Sequence, residues 1–343
     1  MSILSSLRAW LSGESYTIPP LEYKDKEPLC IGQIRGQEKI KVGLLIAAAG
    51  KHNVLLVGPP GEGKSALLST IPGFLPFLTQ KEYDELATIY DRIGNINKLS
   101  TIHRPFIQTS PGITESGLLG GGHKANPGAI SLAHNGILFI DEFPEYKRNL
   151  LESLRNPMED GMITLHRSSG SVTYQCNFQL LAAMNPCPCG LYPSEFCRCN
   201  NSIRMRYRAK LSQPILDRID IIMELFEVPI KKKFADSIPE QSAVFKQKVD
   251  EANAFRLWTR PSQDYVNSEI QSHNVFHDES KEMEWEDGSV TYFQTMIIKL
   301  SLSTRKVVQL ARIARTVADL AKDRYVGISH LQIARDYIGL GVL

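Results

Sequence analysis

The chain has 343 residues, about two domains' worth at roughly 150 residues apiece, and its 43% hydrophobic and 22% charged residues exclude a disordered or fibrous protein. With 39 Lys and Arg against 37 Asp and Glu the net charge is only +2, so any surface for nucleic acid has to be local. No run approaches the roughly 18 uninterrupted apolar residues of a membrane span, and segment 1–20 lacks a small-residue cleavage site, so the expected location is the cytoplasm.

Residues 1–30 read as an N-terminal arm, a short amphipathic segment broken at Pro19-Pro20. KIKVGLLIAAAG (39–50) is apolar at helical spacing, with Gly50 as its stop. KHNVLLVG (51–58) is a short apolar run closed by Gly58 and reads as a buried strand, and GILFIDE (136–142) and FQLLAAMN (178–185) read likewise. Short apolar strands alternating with helical runs predict an α/β core over 31–230, built on a parallel sheet with both faces covered. The polar segment 229–241, with Pro229 and Pro239, is the expected hinge, and Lys231, Lys232 and Lys233 in it read as solvated charges. Residues 231–343 then form a small C-terminal helical lid domain. It has a helical pattern over 239–258, an acidic aromatic stretch from Asp278 to Asp287, an amphipathic helix within 300–321, and a last helix from Ile328 with Ser329 as N-cap.

Gly58-Pro59-Pro60-Gly61-Glu62-Gly63-Lys64-Ser65 fits the pattern G-x-x-x-x-G-K-[ST], directly after a predicted strand and before a helical run, SALLSTI. In such a loop, backbone N–H groups wrap the phosphates of ATP, the lysine reaches the β- and γ-phosphates, and the serine hydroxyl binds Mg²⁺. A chance glycine-rich turn is the alternative, and the strand–loop–helix context disfavours it. Ile137 to Ile140 deliver Asp141 to the end of a strand, where it can hold Mg²⁺ through water, and Glu142 can polarise an attacking water. Asn185, ending the third strand run, is placed to orient that water; alone it would be an ordinary strand-ending turn residue. Together the three elements predict an ATPase.

Cys187, Cys189, Cys197 and Cys199 lie in the pattern C-x-C-x₇-C-x-C. Four thiolates this close can build a closed tetrahedral Zn²⁺ site, structural rather than catalytic; reduced, unliganded thiols are the alternative. Cys30 and Cys176 stand apart and read as small buried hydrophobes.

GPPGEGKS, GAISLAHNGILFIDEFPE, LLESLRNPMEDG, LLAAMNPCPCG and LSQPILDRID resemble, in combination, the magnesium-chelatase-like branch of AAA+ ATPases, and within it the ComM type. The resemblance runs from about Gly32 to the C-terminus. It implies an αβα core with β-hairpin insertions and a helical lid, assembling as a hexameric ring with ATP between subunits. It also makes Arg218 in LDRID the arginine finger for a neighbour's site, with a salt bridge to Asp217 or Asp220 as the competing reading. Arg305 in LSTR matches the sensor-2 arginine, in this branch serving the adjacent subunit's nucleotide, and Gln37 lies where the purine-contacting segment begins. A similar cysteine cluster occurs in ComM-type chains. Two departures stand out. ComM-type chains carry a Lon-like S5 domain before the ATPase, where this one has about thirty residues, and the family's PHH segment is here Ile107-Gln108-Thr109-Ser110-Pro111.

Two insertions complete the resemblance. Residues 117–128 form a glycine-rich loop, and Met162 to Tyr174 read as a β-hairpin around a Ser-Gly turn. In relatives of the replicative MCM type both project into the ring pore, which makes Lys124, His166 and Arg167 the residues facing DNA phosphates; solvated loop-tip charges are the plain alternative. Arg204, Arg206, Arg208 and Lys210 form a denser basic cluster that serves either nucleic acid or a subunit interface. The expected function is an ATP-driven ring motor on DNA. Remodelling of a partner protein, as in MoxR and chelatase relatives, and a slow nucleotide-switch scaffold are the alternatives; basic loop tips favour DNA and an intact Glu142 disfavours the scaffold.

Overall fold

The computed structural model describes residues 28–99, 103–122, 124–167, 170–228, 240–261, 266–276 and 282–342. The expected arm before residue 28, the hinge over 229–239, and His123 lie outside the described residues, as do the side chain of Arg167 and the hairpin turn at 168–169.

After helix α1 (Glu38–Gly50), strand β1 (Val54–Val57) is buried on both faces, as its sequence VLLV requires of a central parallel strand. Helix α2 (Lys64–Leu68) follows the glycine loop, and helix α3 (Gln80–Asp91) begins with a capping box in which Thr79 and Glu82 satisfy each other's backbone N–H groups. Strand β2 (Phe106–Thr109) and helix α4 (Glu115–Leu119) lead into a two-residue hairpin, β3 (Gly120–Gly121) and β4 (Asn126–Pro127). Strand β5 (Ile137–Ile140), the long hairpin β6 (Met162–Arg167) and β7 (Gly170–Gln175), strand β8 (Gln179–Met184), helix α5 (Asn201–Arg208) and strand β9 (Ile221–Glu224) complete the core.

Among the described residues the main sheet has five strands in the order β2-β5-β8-β1-β9, all parallel. The register sets Val57 beside Met184, and Ile140 beside Ala182. Gly58, Asp141 and Asn185 therefore emerge together at the carboxyl edge of the sheet, where open α/β sheets bind ligands.

The helical domain consists of α6 (Gln241–Thr259), α7 (Ser289–Leu300), α8 (Thr304–Ala321) and α9 (Ile328–Arg335), with shorter pieces between. Its centre is α8, capped by Ser303 and buried on nearly every side from Val307 to Asp319. Leu310, Ala311, Ile313 and Ala314 join α1, β1 and β9 in one apolar cluster, so this domain continues the core of the first. Arg315, fully buried, donates to Asp319 Oδ1 at 3.0 Å and to two backbone carbonyls, and Asp319 Oδ2 accepts from Arg260 at 2.6 Å and Asn267 at 2.7 Å. Asp319 thus serves both buried arginines, Arg315 and Arg260.

Four local expectations are corrected. Helix α1 is stopped by Lys51 in the left-handed region (φ 57°), its ammonium donating to Asn177 Oδ1 at 2.6 Å, while Gly50 is still helical. The helical run after the glycine loop ends at Leu68, and Pro72 heads a separate 3₁₀ turn over Ile71–Phe74. Ser329 lies inside the first turn of α9; the cap is Gly327, whose N–H donates to His330 Nδ1 at 3.0 Å. Cys176 is buried as expected, whereas Cys30 is only half-buried.

Candidate nucleotide site

Gly61 and Gly63 hold φ of +81° and +82°, with open space where a side chain would stand, a backbone course that favours glycine at both positions. Lys64 crosses beneath the loop. Its ammonium donates to the Gly58 and Pro59 carbonyls at 2.7 and 2.8 Å and to Asn185 Oδ1 at 3.0 Å. Burial pulls this lysine below its usual pKa, and the carboxylates of Asp141, Glu62 and Glu142 oppose the shift. Ser65 Oγ donates to Asp141 Oδ2 at 2.5 Å. A hydroxyl and a carboxylate oxygen in contact, beside a phosphate loop, are the hard ligands that Mg²⁺ prefers, so the residues fit that ion. Glu142 adopts the left-handed conformation (φ 52°), its N–H donates to Asp141 Oδ1 at 2.8 Å, and its side chain is exposed at the same edge. Lys64, Ser65, Asp141, Glu142 and Asn185 are thus brought to one place by three adjacent strands.

A family model described as magnesium chelatase, subunit ChlI, matches residues 30–233, and one for the C-terminal part of that subunit matches 239–337. The chain belongs to the magnesium chelatase ChlI family. It is 37% identical to YifB of Salmonella typhimurium over 342 residues (97% of this chain, 66% of that protein). It is 39% identical to YifB of Escherichia coli over 313 residues (90% and 60%), and 34% identical to competence protein ComM of Haemophilus influenzae over 319 residues (92% and 61%). It therefore spans between 60 and 66% of the length of these relatives. For a ChlI-family chain of this fold, a nucleotide and Mg²⁺ are the implied ligands of the glycine loop.

The two arginines carried over from the ChlI-like branch lie elsewhere. The Arg218 carbonyl accepts from Asn53 Nδ2 at 2.9 Å, and Asn53 directly precedes β1. Arg218 thus stands at the amino edge of the sheet, a strand length of about 13 Å from its own glycine loop. Its guanidinium donates to the Pro214 carbonyl at 2.8 Å and pairs with Glu159, not with Asp217 or Asp220. Asp217 instead pairs with Arg305, which is exposed at the start of α8, and Gln309 Nε2 ties α8 to the Asp217 and Ile219 carbonyls. Both arginines therefore share one face, away from the loop of their own chain. Gln37, left-handed at φ 60°, donates to the Phe226 carbonyl at 2.7 Å, while Glu62 of the glycine loop accepts from the Val228 N–H at 3.3 Å. Gln37 and the loop thus flank the same segment beyond β9.

The sulfurs of Cys187 and Cys189 lie 3.4 Å apart, those of Cys187 and Cys197 3.7 Å, and those of Cys189 and Cys197 3.6 Å, and all four thiols fall within 4.8 Å of one another. A tetrahedral site with metal–sulfur bonds of about 2.3 Å has edges of about 3.8 Å, so the donor set fits a closed four-thiolate site. The Leu191 backbone N–H holds the Cys189 thiol down at about 6, while burial pushes that of Cys187 up to about 12.

The two insertions interlock. Tyr174 Oη on β7 donates to the Ala125 carbonyl at 2.8 Å, and Leu165, Tyr174 and Ala125 share a small apolar cluster. Lys124 is exposed beside that contact, and His166, also exposed, pairs across the hairpin with Ser171 at 2.8 Å. The Lys124 loop is thus packed against the hairpin whose end pairs Arg167 with Gly170. Sequence reasoning missed Glu159 as the partner of Arg218, gave Asp217 to Arg218 rather than to Arg305, and missed Gly190, which meets the glycine loop; no spacing rule signals such distant contacts.

Proposed function

We propose that this chain is an ATPase that assembles as a ring, with hexamer the expected size, and moves on or remodels DNA. The contact of Ser65 with Asp141 beside the Lys64–Asn185 pair carries the reading, because it gathers a cation ligand set, a phosphate-binding ammonium and a water-orienting amide at one sheet edge. Lys64 would exchange its two carbonyl partners for the β- and γ-phosphates, and the loop N–H groups would cradle the rest. Mg²⁺ on Ser65 and, through water, Asp141 would neutralise charge on the phosphates. Glu142 would take the proton of the attacking water and Asn185 would orient it.

Arg218 and Arg305, on the far face of the same subunit, are assigned to the nucleotide of the neighbour, where cations facing the transferring phosphoryl stabilise its charge. Gln37 is assigned a contact with the purine. The four cysteines are assigned a structural Zn²⁺. Lys124, His166 and Arg167, on the two insertions that touch each other, are assigned to DNA phosphates.

The test is the rate of ATP hydrolysis by the purified chain alone and with single-stranded, duplex and branched DNA and RNA. Magnesium-dependent hydrolysis stimulated by DNA supports the reading. Hydrolysis without DNA binding at low salt favours remodelling of a partner protein, and no hydrolysis under any condition contradicts the assignment.

A further inference from the structure

Gly190 closes the turn between the first pair of cysteines and the rest of the knuckle, its N–H donating to the Cys187 carbonyl at 3.0 Å. It holds φ of +79°, and a Cβ placed there would lie 2.7 Å from Pro60 Cδ, 3.0 Å from Pro60 Cγ and 3.9 Å from Asn185 Cγ. The cysteine turn therefore lies directly on the outer arm of the glycine loop and against the side chain that receives Lys64. The far end of the knuckle is anchored separately. Arg204 on α5 donates to the Cys199 carbonyl at 2.9 Å, and its guanidinium lies over the Tyr192 ring at 4.3 Å. At the end of the same helix, buried Tyr207 meets the backbone of Asn185.

Between these anchors, residues 186–200 contain no helix or strand, and Leu191 and Phe196 are exposed. The segment has little apolar burial of its own to fix its shape. Four thiols drawn onto one cation would supply that fixity. The same constraint would set where Gly190 rests on Pro60 and where Asn185 stands.

We propose that metal in the cysteine knuckle and nucleotide in the glycine loop bind cooperatively through the Gly190–Pro60 contact, each raising the affinity of the other. The inference rests on the reading that the loop binds ATP and the thiols bind Zn²⁺. Coupling between two sites is reciprocal, so one factor must appear in both directions, and typical couplings are about fivefold or more.

The test measures both directions on the full chain. The affinity of a fluorescent ATPγS with Mg²⁺ is titrated against zinc-loaded and chelator-stripped protein, with circular dichroism confirming the fold. Zinc affinity is measured against a chromogenic chelator with and without ATPγS. We expect stripping to weaken nucleotide binding about fivefold or more, and nucleotide to tighten zinc by the same factor. Gly190→Ala retains all four thiols, so it should still bind one equivalent of zinc, bind nucleotide more weakly, and lose the response of zinc affinity to nucleotide. Equal nucleotide affinity with and without zinc in folded protein overturns the coupling while leaving the ATPase reading intact. If stripped protein unfolds, the zinc titration on wild type decides, and a zinc affinity indifferent to nucleotide overturns the proposal. Wild type that binds no nucleotide contradicts the proposed function instead, and wild type that binds no zinc removes the metal from both.

Discussion

Glu142 stands exposed at the carboxyl edge of the sheet, tied by its own N–H to the carboxylate that touches Ser65. Exchanging it for Gln removes a proton acceptor and leaves Lys64, Ser65 and Asp141 in place. Glu142→Gln should therefore bind nucleotide normally and hydrolyse it about 10²- to 10⁴-fold more slowly, the usual weight of a general base. Single-turnover hydrolysis alongside equilibrium nucleotide binding separates the two effects, and a wild-type rate would move the base elsewhere. Lys64→Ala should lose affinity itself, by about 10- to 100-fold, because a charge-assisted contact to phosphate goes with the ammonium. Nucleotide titration checks this. A loss of rate with unchanged affinity would make Lys64 a residue of the transition state alone.

At the scale of elements, the glycine loop and the β5 and β8 ends were legible because each is a local pattern: an apolar run that ends where polar chemistry begins. The β6–β7 hairpin was equally plain, since two β-rich arms flank a Ser-Gly turn. What stayed hidden is contact at distance. Glu159 meets Arg218 across 59 positions, and Asp217 meets Arg305 across 88, and neither pairing leaves a trace in spacing. The stop of α1 at Lys51 was hidden too, because Asn177, which holds that lysine, belongs to the chain just before β8. The depth of α8 follows from tertiary packing: its sequence reads as amphipathic, yet Arg315 and Asp319 on its polar side are buried against Arg260 and Asn267. Asp319→Ala would remove the carboxylate that both buried arginines, Arg315 and Arg260, pair with, and denaturant melts should show a loss of about 3–5 kcal/mol. A loss below 1 kcal/mol would mean that water reaches the cluster. On the two interlocked insertions, neutralising Lys124 and Arg167 together should weaken DNA binding for all sequences alike. It should also flatten the slope of log affinity against log salt by about one unit per lost phosphate contact. An unchanged slope would shift the grip to Arg204, Arg206, Arg208 and Lys210.

For the whole molecule, the decisive geometry is the separation of the glycine loop from the two arginines. The glycine loop, Ser65, Asp141 and Asn185 stand at the carboxyl edge of the sheet, and Arg218 stands with Arg305 at the amino edge, a strand length away. Under the proposed assignment Arg218 serves a neighbour's nucleotide rather than its own, which makes assembly a condition of turnover. Arg218→Ala should bind nucleotide, assemble, and hydrolyse about a thousandfold or more slowly. The most direct test mixes that variant with Lys64→Ala, each inactive alone, and measures ATP hydrolysis across mixing ratios while light scattering confirms co-assembly. Some interfaces in a mixed ring join an intact glycine loop to an intact Arg218, so activity should reappear and pass through a maximum at intermediate ratios. Co-assembled mixtures with no recovered hydrolysis at any ratio would contradict a site completed by the neighbouring subunit.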